Sequence, residues 1–64
     1  MRLTADTIDD DDIRGLRRVA LHRMEHIIAL TCTIALGQDP HATAADRVLA
    51  RGRCAEVINE RRKS

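Results

Sequence analysis

The most explicit chemical string in this chain is His22-Arg23-Met24-Glu25-His26, which spells H-x-x-E-H. Histidines four residues apart share one face of a helix and can chelate a metal, which is why inverted zinc-protease motifs use that spacing. Such enzymes also need a further protein ligand and a cleft supplied by a much larger domain. Neither is visible here, so the string reads as two solvated histidines beside a surface glutamate. His22 and His26 stand as the only metal candidates, and no metal or cofactor is expected. His41, in a turn, suits capping or solvent contact.

Cys32 and Cys54 lack the C-x-x-C spacing of a zinc knuckle or redox pair. In a hairpin folded near residue 39, Cys32 lies about seven residues before the turn and Cys54 about fifteen after it. That mismatch is roughly 12 Å along a helix axis, beyond the reach of a disulfide. Two small, reduced core residues are expected, with an intermolecular bridge as the alternative.

Charge is polarised along the chain although the net charge is only +1. Asp6 and Asp9 to Asp12 make the beginning acidic. Arg47, Arg51, Arg53, Arg61, Arg62 and Lys63 outnumber Asp46, Glu56 and Glu60 in the last third. Arg47 and Arg51, with Arg61, fall near one helical face that could meet phosphates, and Arg14, Arg17 and Arg18 could join them in a folded dimer. Asp9, Asp10, Asp11 and Asp12 could imitate phosphates on a partner's basic groove; capping and solvating a helix start is the simpler role. No Ser/His/Asp set, phosphate-cradling glycine loop or paired buried carboxylates can be made out. No catalytic residue is assigned and an enzyme is not expected.

The elements that must position these groups are helices. The chain of 64 residues has no Phe, Tyr or Trp, so its core must come from Leu, Ile, Val, Met and Ala. The same absence removes the stacking rings that most single-strand and RNA readers use. Thr7 or Asp9 can cap a helix, and the aspartate run suits its positive dipole end. Apolar residues then recur at Ile13, Leu16, Ala20, Met24, Ile27, Leu30 or Thr31, and Ile34. Gly37 and Pro40 stop this segment. Thr43, with Asp46 three residues later, opens the next.

No Gly or Pro interrupts residues 22–26, so the first segment is expected to run continuous or gently bent. The architecture expected is all-α: a single domain over 1–64, with an acidic segment 1–12, helix over 9–36, turn at 37–42 and helix over 43–62. A helical hairpin is the leading arrangement and three short helices the alternative. In the second helix, Ala45, Val48, Leu49, Gly52 and Ala55 line one face, while Ala50, Cys54, Val57 and Ile58 wrap toward another. One neighbour cannot cover both, and Gly52 suggests close approach by another backbone. A chain of this size buries only about 60% of its unfolded surface, and small scaffolds commonly add a disulfide, a metal or self-association. A homodimer forming a helical bundle is therefore expected.

The longest apolar run, Ile27 to Gly37, covers about half of a ~30 Å hydrocarbon core. No membrane span is expected, and residues 1–12 hold no apolar stretch of a secretory signal. The expected setting is the cytoplasm of a bacterium, with a phage or plasmid-like origin.

Ile8 to Arg17, IDDDDIRGLR, resembles the opening I-T-D-x-x-I-x-x-L-R of short bacterial and phage reading frames. Cys32 to Gly37 and Arg53 to Asn59 look like the continuation of that pattern, so the likeness covers most of the chain. Those frames often carry a Gly-Asp break where this chain has Leu21 to His26. The resemblance implies three helices and carries over no functional residue. In layout the chain is also similar to plasmid copy-control hairpins that dimerise into four-helix bundles and bind RNA, an analogy of architecture only. The reading that follows is a non-enzymatic, homodimeric interaction or regulatory protein. Its alternative is a nucleic-acid-binding regulator using the Arg-rich last helix. An acidic phosphate mimic or a His-based metal binder ranks below both. The candidate interaction residues are Asp9, Asp10, Asp11, Asp12, Arg47, Arg51, Gly52, Cys54 and Val57, facing a second copy, a protein partner or nucleic acid.

Overall fold

Asp9 starts the first helix by a reciprocal cap. Its Oδ1 accepts from the Asp12 N–H at 2.9 Å, while the Asp12 carboxylate faces the Asp9 N–H at 3.5 Å. Three aspartates then lie in the first turn, where the helix dipole favours them. In the computed structural model, which describes residues 1–63, this is helix α1, Asp10–His22. Its buried stripe is Ile13, Leu16 and Ala20.

The hairpin and the unbroken first helix are both overturned: the chain folds as three helices. α1 stops at His22, and α2 spans His26–Ala35. The stop is a Schellman motif built without glycine. The Met24 N–H donates to the Leu21 carbonyl at 3.2 Å, and the Glu25 N–H donates to the Ala20 carbonyl at 2.8 Å. Met24 holds the left-handed conformation, with φ of 59°, that such a motif usually reserves for glycine. Glu25 is held in place by Arg61, whose Nη2 lies 2.7 Å from its carboxylate.

That break resets the helical phase. Continued from α1, the apolar stripe would run through Ile27, Leu30 and Ile34. Instead α2 buries Ala29, Cys32 and Ala35. Ile27 and Leu30 stand outside, 83% and 58% exposed. Of the stripe expected to be core, Ile27 and Leu30 have become surface, while Ile34 still packs partly buried against the core.

α2 ends in a second Schellman motif with a glycine at the left-handed position. The Gly37 N–H donates to Ile34 and the Gln38 N–H to Thr33, with Gly37 at φ 73°. Residues 36–43 then connect to α3, Ala44–Lys63. Thr43 caps α3 reciprocally: its N–H reaches Asp46 Oδ2 at 2.9 Å and its Oγ1 accepts from the Asp46 N–H at 3.1 Å. This is the spacing the sequence announced.

α2 packs against both other helices, which touch each other little. Small residues, Ala35, Cys32, Ala50, Cys54 and Ala55, make the seams. The larger buried side chains are Ile13 and Leu16 on α1, with Leu3 and Ile8 from the segment before it. That segment runs back along α3. Leu3 lies against Asn59, and the Ile8 carbonyl accepts from Arg51 Nη2. Of Gly52, an added Cβ would meet only the Ala5 methyl, at 3.9 Å. The close approach there is this returning segment, and it leaves room for a side chain.

Candidate functional site

The break at residues 23–25 also dismantles the histidine string. His22 is the last residue of α1 and His26 the first of α2, so they do not share one helix face, and Glu25 is turned to Arg61. No group of three or more His, Cys, Asp or Glu side chains among the described residues is arranged to hold a metal ion.

The four aspartates are engaged within the chain. Asp9 and Asp12 cap α1. Asp10 pairs with Arg51 at 2.9 Å and Asp11 with Arg14 at 3.0 Å. Arg51 is thus committed twice, to Asp10 and to the Ile8 carbonyl. Arg47 is exposed and lies beside the turn at Gly37, where an added Cβ would meet its side chain at 3.5 Å. Arg17 donates to the Gln38 side chain at 2.6 Å in the same turn. Arg47 and Arg51 therefore do not form one free phosphate-facing set.

A positive set does form at the opposite end of α3. Because the first residues run antiparallel along that helix, Arg2 arrives beside its last turn. Met1, Arg2, Asn59, Arg62 and Lys63 line one open hollow of about 300 Å³. Arg61 lies alongside, paired with Glu25, and Lys63 approaches Glu60 at 3.5 Å. Sequence spacing could not reveal this cluster, since Arg2 and Arg62 are sixty positions apart. Asn59 was the available signal: a polar residue in the apolar stripe of the last helix, where a buried amide must find partners.

The second surface feature is an apolar groove between α2 and α3. Its deeper part, about 320 Å³, is lined by Leu16, Ile27, Ile28, Thr31, Cys54 and Val57 among others. It continues past Thr31 and Arg53 to Ile34 and Leu49. Val48 and Leu49 are the exposed large apolar side chains of α3, and Leu49 lines this continuation.

Cys32 and Cys54 correct the register argument directly. Their sulfurs lie 3.7 Å apart, both buried and both free thiols. The estimate of 12 Å assumed a tight turn. The connection instead takes eight residues and lies alongside the first turns of α3, with Gly37 opposite Arg47. α3 therefore begins well past the end of α2, and residue 54 draws level with residue 32.

No helix of the described residues is long and apolar enough to cross a membrane. Comparison with protein-family models, with curated proteins and with solved structures finds no match.

Proposed function

We propose that this chain is a non-enzymatic regulator that grips the phosphate backbone of nucleic acid, and that it does so as a homodimer. The observation that carries the reading is the hollow at the end of α3, where Arg2, Arg62 and Lys63 converge. Asp9 to Asp12 and Asp46 are spent on caps and ion pairs at the starts of α1 and α3. Of the acids near the hollow, Glu60 lies 3.5 Å from Lys63, and Asp11 and Asp12 share a neighbouring hollow with Arg62. With no Phe, Tyr or Trp, the chain lacks the main side chains on which unpaired bases stack. Backbone contact with a duplex is the mode its composition supports. Dimerisation through the α2–α3 groove would cover Ile27 and Leu49 and double the number of cations offered to one duplex.

The test is fluorescence anisotropy with duplex DNA and duplex RNA across a salt series. Three cations per subunit predict a log–log slope of about −2.7 per subunit. Arg62→Ala and Lys63→Ala should each flatten it by about one. Absence of any binding at low ionic strength overturns the proposal.

A second reading rests on a different observation, the exposed apolar side chains of the groove. Large contiguous apolar surface on a small protein marks a contact site. In that reading the groove grips a foreign protein. A chain that stays monomeric and ignores nucleic acid would leave this reading standing alone.

A further inference from the structure

We propose that Cys32 and Cys54 form a site of reversible oxidation, at which a hydroperoxide converts the paired thiols into a disulfide joining α2 to α3. The sulfurs are already in contact at 3.7 Å and need to close by about 1.7 Å to reach a ~2.05 Å bond. The bond would enclose residues 32 to 54, including the whole eight-residue connection. Access is provided on one side. Cys54 forms part of the wall of the open α2–α3 groove, and Cys32 lies 3.7 Å behind it with no exposed surface, so a small neutral oxidant must pass Cys54 to reach Cys32. The burial of both sulfurs disfavours a bulky disulfide reagent.

The two sulfurs are not equivalent. Either thiol can donate across the contact; with Cys54 as the donor, that hydrogen bond and the Arg17 charge hold Cys32 below the ordinary thiol range despite burial. Donation and desolvation push Cys54 up. Cys32 is therefore the attacking sulfur. Its thiolate attacks one peroxide oxygen, the O–O bond breaks, and the departing oxygen takes a proton, leaving a sulfenic acid on Cys32. The Cys54 sulfur then attacks that sulfur; the S–S bond forms, the S–O bond breaks, and the oxygen leaves as water with the Cys54 proton. Two electrons pass from the thiols to the peroxide. A small dithiol reverses the step by exchange.

The experiment exposes the folded 64-residue chain to hydrogen peroxide and follows intact mass, thiol labelling and the melting temperature. Expected are simultaneous loss of both thiols, a mass lower by two hydrogens, and no covalent dimer. The melting temperature should rise by about 10 °C or more and return on addition of dithiothreitol. In Cys54→Ala, dimedone should trap a sulfenic acid on Cys32. Should that variant not fold, mass and thiol counts on the unaltered chain decide. A covalent dimer, over-oxidation of one cysteine with the other still free, or a disulfide that appears only in urea would each overturn the proposal.

Discussion

Asn59 holds both backbone groups of Leu3. Its Oδ1 accepts from the Leu3 N–H at 3.0 Å, and its Nδ2 donates to the Leu3 carbonyl at 2.8 Å. The amide acts as the neighbouring strand that Leu3 does not have, and it does so in a buried setting across 56 positions of sequence. Asn59→Ala removes both partners at once. Each buried backbone group left unpaired costs about 1–3 kcal/mol, unless residues 1–8 detach and expose Leu3 and Ile8. Urea unfolding should show a loss of about 2 kcal/mol or more, and hydrogen exchange at the Leu3 amide should accelerate sharply. An unchanged midpoint would show that the clamp contributes nothing.

Met24 occupies a backbone conformation that costs an L-residue about 1–2 kcal/mol. Its side chain is 76% exposed, so little packing is lost on its removal. Met24→Gly is expected to raise stability by about 1 kcal/mol, read as a higher denaturation midpoint with unchanged slope.

The glycines at 52 and 37 should respond in opposite directions. Gly52→Ala places a methyl in ordinary contact with Ala5 and removes a helix-interior glycine, a gain of about 0.5–1 kcal/mol. Gly37→Ala forces a Cβ into the left-handed region beside Arg47, a loss of about 1 kcal/mol. Paired thermal melts of the two variants check both signs.

Ile27→Glu and Leu49→Glu test the groove as a self-contact. Both side chains are exposed in the single chain, so its own stability should move by no more than about 0.5 kcal/mol. Sedimentation at tens of micromolar, on the order where modest dimers populate, should shift from dimer to monomer. Identical sedimentation of variant and parent would remove the dimer from the proposed function.

The helical class and the caps at Asp9 and Thr43 were legible because their causes are local: a side-chain oxygen within three residues of the amide it satisfies. The stop at Gly37 was legible because glycine takes the left-handed conformation freely, also a local cause. The break at Met24 was not, because the residue that performs it is one the motif normally avoids. Its support comes from Arg61, far along the chain. The positions of Ile27 and Leu30 failed with it, since a phase reset turns the following residues of the stripe, although Ile34 still reaches the core. The cysteine pair was hidden by the path of residues 36–43, whose length was known but whose direction was not. Arg2 escaped notice because only tertiary docking of residues 1–8 carries it to Arg62.

The return of residues 1–8 onto α3 also bears on when this protein can acquire its structure. Ribosomes emit chains from the front at about 5–20 residues per second, so Leu3 waits roughly 3–11 s for Asn59 to be made. Helical turns can flicker in the nascent chain during that interval, but the interior cannot close. Closure of the interior is thus deferred until Asn59 has been made, and products that stall before it would present Leu3 and Ile8 bare to the proteases of the cell.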